Sequence, residues 1–87
     1  MKEQQEKILI RRRLQEHLGR ALNIPADQVT PDRSFFEFGI SSQQAVRLAG
    51  KIESEYALEI EATIAYEYPT VEDLAAELAR RLANRES

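Results

Sequence analysis

Ser41-Ser42-Gln43-Gln44-Ala45-Val46-Arg47-Leu48-Ala49-Gly50-Lys51-Ile52-Glu53-Ser54-Glu55-Tyr56 opens with a serine followed three residues later by a glutamine. That spacing is a helix capping box: the serine hydroxyl takes an amide N–H of the first turn, and the glutamine side chain reaches back. Behind it, Ala45, Leu48, Ala49, Ile52 and Tyr56 recur at i, i+3, i+4, i+7 and i+11, the apolar stripe of an amphipathic helix. The pattern predicts a helix from about residue 42 to 57. Gln43, Val46, Arg47, Gly50 and Glu53 fall on another, exposed face.

Upstream, Ile10, Leu14, Leu18 and Leu22 recur every four residues with Ala21 beside them, predicting a helix over about 3–22. Glu3–Lys7 and Glu16–Arg20 are i,i+4 pairs in the favourable order. Asn23 and Pro25 end that helix. Residues 23–40 form a long connection carrying Ile24, Val29, Phe35, Phe36 and Phe38, too apolar to lie in water, so it must pack across the helices. Ser34-Phe35-Phe36-Glu37 is a second capping box and predicts one short helical turn. Downstream, a short helix at about 62–67 stops before Pro69. Thr70-Val71-Glu72-Asp73 then starts a last helix, reaching about residue 83 on the stripe Leu74, Leu78, Leu82. The expected fold is all-α: a four-helix bundle with a short third helix and a long loop between the first two. One domain over 1–87 is expected, with its core at about 8–83 and charged flanks at 1–7 and 84–87.

The chain has 87 residues, 43% hydrophobic and 31% charged, an ordinary globular balance that argues against wholesale disorder. It has no cysteine, which excludes a disulfide framework, a thiolate zinc site and a cysteine nucleophile. The longest aliphatic run is Ile8-Leu9-Ile10, far short of the roughly 20 residues that a membrane span needs. No apolar segment follows Met1 as in a signal peptide, and a cytoplasmic location is expected. The net charge of −3 hides an asymmetry: residues 21–79 hold eleven acidic and three basic side chains between two basic ends. Such a middle repels nucleic acid and attracts basic protein surfaces. Arg11-Arg12-Arg13 reads as a solvated helix face.

Catalytic chemistry is scarce. The single histidine, His17, flanks the first stripe without a second histidine or a cysteine to make a metal cluster. No glycine-rich phosphate loop occurs. The distinctive place is Gly39-Ile40-Ser41-Ser42, where free N–H groups and the positive end of a helix dipole favour a phosphate. Read alone, Ser41 is a cap, and so could Ser42 be.

The wider segment Ser34-Phe35-Phe36-Glu37-Phe38-Gly39-Ile40-Ser41-Ser42-Gln43-Gln44-Ala45-Val46 resembles the modification site of acyl carrier proteins, especially the carrier domains of polyketide synthases. Ala65-Tyr66-Glu67-Tyr68-Pro69-Thr70-Val71 resembles that family's signature before its last helix, and Leu22-Asn23-Ile24-Pro25 with Val29 and Pro31-Asp32 resembles its first loop. The resemblance spans roughly residues 10–82. It implies a non-catalytic bundle in which a phosphopantetheinyl transferase moves 4′-phosphopantetheine from coenzyme A to Ser42, and the arm's thiol carries acyl groups as thioesters. It further implies docking of partner enzymes through the second and third helices, on a face formed by Ser41, Gln43, Val46, Arg47, Gly50, Glu53, Tyr66 and Glu67. The partners so implied are an acyl-AMP ligase or acyltransferase and a ketosynthase or other assembly-line domain. Two positions depart from the family pattern: Ser41 stands where an aspartate usually precedes the modified serine, and Gln43 where a leucine follows. The missing carboxylate bears on the efficiency and choice of transferase. The Gly-Ile-Ser-Ser variant is similar to loading carriers that accept fatty acids from fatty acyl-AMP ligases. A peptidyl carrier of a peptide synthetase, or an unmodified helical docking domain, are the alternative readings.

Overall fold

The computed structural model describes residues 2–86, less the Glu86 side chain; Met1 and Ser87, the ends of the two charged flanks, lie outside the described residues. Four helices appear in the expected order: α1 over Lys2–Leu22, α2 over Ser42–Tyr56, α3 over Ile64–Glu67 and α4 over Val71–Glu86. Two 3-10 turns, Ala26–Gln28 and Phe35–Phe38, punctuate the long connection. Among the described residues there is no strand, only an isolated bridge between Ser34 and Thr70. No described helix is long and apolar enough to cross a membrane.

Three stripes meet to make the core. Ile10, Leu14 and Leu18 of α1 are buried against Leu74, Leu78 and Leu82 of α4, and Ala45, Leu48, Ala49 and Ile52 of α2 close it. Leu22 and Tyr56 are half-buried at the edges of their stripes, and Ala21 is exposed. α4 runs three residues beyond its expected end, to Glu86. α3 begins at Ile64 rather than 62, because residues 62 and 63 form a turn.

Asn23 ends α1 in a left-handed conformation (φ 60°), with Ile24 N–H donating to Gly19 O at 2.9 Å and Asn23 N–H to Arg20 O at 3.4 Å. This two-bond cap satisfies carbonyls that the helix end would orphan. The long connection packs as its apolar content requires: Val29, Phe35 and Ile40 are buried, and Phe36 and Phe38 lie half-buried against the core. It is strapped to both long helices. Gln15 Nε2 donates to Val29 O (2.7 Å), Phe35 N–H to Pro69 O (2.7 Å) and Glu72 N–H to Pro31 O (2.9 Å). The Ser34–Glu37 capping box forms with both of its bonds.

The two expected i,i+4 pairs do not form. Lys7 turns to Glu72 of α4, shared with Arg11, and Glu16 meets Arg13 at 3.4 Å. Once α4 lies alongside α1, a carboxylate on the neighbouring helix competes with the one on the same helix. His17 is not a mere flank of the stripe: it is 6% exposed, and its Nε2 lies 2.8 Å from Glu55 Oε1, tying α1 to the end of α2.

Glu77 is buried and takes hydrogen bonds from Arg80 (2.9 and 2.6 Å) and Arg81 (2.6 Å), while Arg81 also reaches Glu61 at 2.8 Å. The cluster pins the segment before α3 to α4. The hydrogen bonds from Arg80, then those from Arg81, hold the Glu77 carboxyl at about 2 against the opposing effect of burial. A carboxyl depressed in the folded state stabilises the fold above its unfolded pKa and loses that contribution as pH falls through the folded value. Acid titration should therefore weaken the fold between pH ~4.5 and pH ~2 through this group, by about 1 kcal/mol once solvent screening at the exposed Arg80 is allowed for. Chemical denaturation across that range should show a steeper loss for the wild type than for Glu77→Gln. Equal slopes would remove Glu77 as the cause.

Candidate functional site

The amino end of α2 is built by a break and a cap. Gly39 stops the Phe35–Phe38 turn at φ 97°, a conformation that side chains resist. Ile40 then drops into the core, and Ser41 takes the N-cap. Ser41 Oγ accepts from Gln44 N–H (3.1 Å), and Gln44 Oε1 accepts from Ser41 N–H (2.9 Å), so the box expected from sequence is complete. Gln44 Nε2 also donates to Ala21 O (3.2 Å), fastening the start of α2 to the end of α1.

Ser42 is the first helical residue, exposed and just outside that cap. Its hydroxyl oxygen is 3.0 Å from the Tyr66 hydroxyl of α3, which donates to it. Tyr66 is held in place by stacking on Phe36, with ring centroids 4.7 Å apart and planes inclined by 25°. Three elements therefore converge on Ser42: the 3-10 turn supplies Phe36, α3 supplies Tyr66 and α2 supplies the serine. Beside the serine, a shallow open groove is lined by Gln43, Val46 and Arg47.

The residues present fit a phosphate ester. Ser42 Oγ is accessible, it lies at the positive end of a 15-residue helix, and Ser42 and Gln43 precede the first intrahelical bond, Ala45 N–H to Ser41 O. No carboxylate stands at position 41 to repel the group.

Gln43, Val46, Arg47, Gly50 and Glu53 are all exposed along one side of α2, and Tyr66 and Glu67 are exposed on α3. Glu53 is partly committed, since its Oε2 accepts the Ile60 N–H at 3.0 Å and so braces the segment before α3. Phe36 is the site residue that sequence reasoning missed; its partner lies thirty positions away, and no local pattern links them.

An all-α bundle that presents an exposed serine at a helix start, outside the cap, is compatible with a carrier onto which a group is loaded. The chain belongs to the phosphopantetheine attachment site family, whose model matches residues 12–78. Its cofactor is therefore 4′-phosphopantetheine, and the family is one of non-catalytic carriers. A segment of 62 residues is 36% identical to a phenolphthiocerol/phthiocerol polyketide synthase of Mycobacterium tuberculosis, covering 71% of this chain and 3% of that protein. Another, of 59 residues, is 33% identical to a non-reducing polyketide synthase of Aspergillus fumigatus, covering 68% and 3%. The chain spans about 3% of the length of these curated relatives. Among solved structures, a free-standing peptidyl carrier protein from Acinetobacter baumannii superposes with a TM-score of 0.85 at 26% identity, over 88% of this chain and 96% of that one. The HMG-ACPI domain of the CurA module from Lyngbya majuscula gives 0.82 at 28%, over 90% and 79%.

The Tyr66 hydrogen bond has a kinetic consequence. A donor on the Ser42 oxygen draws on one of its two lone pairs and lowers the electron density of that oxygen. Tyr66→Phe keeps the stack on Phe36 and removes only the donor. Single-turnover transfer of phosphopantetheine should become faster by up to about fivefold, the worth of one hydrogen bond. A slower transfer would mean that the tyrosine assists the serine instead.

Proposed function

We propose that Ser42 is the attachment residue and that the modified chain tethers acyl or polyketide intermediates as thioesters, presenting them to successive partner enzymes. The observation that carries this reading is the exposed Ser42 hydroxyl at the start of α2, outside a cap that Ser41 and Gln44 complete without it. In the loading step Ser42 Oγ forms the new bond to phosphorus, surrenders its proton to a base of the phosphopantetheinyl transferase, and displaces the nucleotide half of coenzyme A. The arm supplies the thiol that this cysteine-free chain lacks. Residues 1–87 act as a single carrier domain with a core over about 8–83.

The partners of this reading are the transferase, an acyl-AMP ligase or acyltransferase, and a ketosynthase or other assembly-line domain, met on the side of α2 and α3 that Ser41, Gln43, Val46, Arg47, Gly50, Glu53, Tyr66 and Glu67 form. The Gly39-Ile40-Ser41-Ser42 variant supports a fatty acyl-AMP ligase as the loading partner. The likeness to the Acinetobacter peptidyl carrier supports a second reading, an aminoacyl cargo.

Intact mass spectrometry after incubation with coenzyme A and a broad-specificity transferase tests the carrier assignment: one phosphopantetheine should be added. Offering the modified protein acyl-AMP and aminoacyl-AMP donors with their ligases then separates the cargoes. Loading by the aminoacyl donor alone would overturn the acyl reading. An unmodified mass would overturn both and leave a helical docking domain.

A further inference from the structure

Several cations of this chain have an acid. Lys7, Arg11, Arg13, Arg80 and Arg81 each meet a carboxylate. Arg85 donates to two backbone carbonyls at the end of α2, and Arg33 lies over the Phe38 ring. The side chains of Arg12, Arg20, Arg47 and Lys51 have no carboxylate or hydrogen-bond partner among the described residues, and the last three line one groove between α1 and α2. The floor of that groove includes Leu18, Ile40 and Leu48, and its volume is about 270 Å³. His17 lines it too, 6% exposed, and its Nδ1 is a buried polar atom with no partner.

Three unpaired like charges around a concave apolar patch focus a positive potential there. The sign is opposite to that of Glu53, Glu59 and Glu61, which line a separate depression at the far end of α2. The groove falls below the roughly 300–1,000 Å³ typical of small-molecule sites. It suits one or two side chains, with the cations placed to meet charges beside them.

We propose that this groove is a second docking surface, one that takes an acidic segment of a partner protein with an apolar anchor side chain flanked by carboxylates. The anchor enters over Leu18, Ile40 and Leu48, and the carboxylates meet Arg20, Arg47 and Lys51. Buried anchors set the affinity of such contacts and rim charges their rate and selectivity. The groove borders the face around Ser42 and shares Arg47 with it, so an occupant of the groove competes with any partner that uses Arg47.

Heteronuclear NMR of the unmodified protein tests this, with a synthetic peptide carrying one leucine between two pairs of glutamates. Its titration should shift the amides of Leu18, Ala21, Ile40 and Leu48 first, and added salt should weaken the effect. Arg20→Ala and Lys51→Ala should each weaken binding by up to about fivefold, the most that one exposed ion pair contributes. Reversing both charges should abolish it while circular dichroism stays unchanged. Absence of shifts at millimolar peptide, or shifts confined to the Glu53 and Glu67 side, would overturn the proposal. So would equal shifts from sodium acetate or from the peptide with serine in place of leucine, since the groove would then merely collect anions. No phosphopantetheine is involved, so a failure here leaves the assignment of Ser42 untouched, and the reverse.

Discussion

Ser42→Ala should abolish phosphopantetheine transfer and leave the helical circular dichroism of the protein unchanged. The expectation rests on a division of labour between adjacent serines. Ser41 is the cap: its Oγ holds Gln44 N–H, and its own N–H is held by Gln44. Ser42 contributes nothing to that box and is bonded only through the Tyr66 hydroxyl, so removing its oxygen costs one exposed hydrogen bond. That is a loss of about 1 kcal/mol or less, too little to unfold the bundle. Ser41→Ala should do the opposite: it should cost about 1 kcal/mol of helix capping yet still accept the arm. Denaturant midpoints and intact masses of the two variants, taken together, decide the matter. A modified Ser42→Ala protein, or a Ser41→Ala protein that stays folded and unmodified, would move the attachment site to Ser41.

That pair of serines also shows where the sequence is legible and where it is not. Capping boxes are local: the residues that make them are three apart, so both boxes are readable and both form with the predicted partners. The stripes of α1, α2 and α4 are readable for the same reason, since helical periodicity is a property of neighbours. Contacts that depend on how the helices are laid together are not. Nothing near His17 announces Glu55, and nothing near Phe36 announces Tyr66. Lys7 has a local partner within reach, and Glu72 displaces it once α4 packs on α1. Gly19 belongs with these. It is buried where the chain doubles back, and a Cβ there would come within 2.7 Å of Ile24 O. The end of α1 needs a residue without a side chain because of the turn that follows it. Candidate residues of the site are therefore legible from the helix start and from family resemblance, whereas the aromatic support beneath the serine is a product of the fold.

Val46→Glu should sharply reduce acyl loading while leaving the melting temperature within a few degrees of wild type. Val46 is 51% exposed although the buried stripe of α2 runs through Ala45, Leu48, Ala49 and Ile52, so packing gives no reason for an apolar residue there. It lines the groove beside Ser42 with Gln43 and Arg47, on the face proposed to meet the loading partner. An apolar residue in that position acts through burial on docking, and a charge placed there must be desolvated without a partner. A loss of about tenfold or more in kcat/KM for the loading enzyme is expected, equivalent to ~1.4 kcal/mol. Gly50, one turn along on the same side, separates docking from stability. An added Cβ there meets nothing within 4 Å, so Gly50→Ala should stabilise the bundle by about 1 kcal/mol through helix propensity alone. Gly50→Glu should keep the fold and lower loading as Val46→Glu does. Thermal melts alongside initial loading rates distinguish the outcomes. An unfolded Val46→Glu protein would place that residue in the core, and wild-type loading by both glutamate variants would shift the docking face from α2 towards Tyr66 and Glu67 on α3.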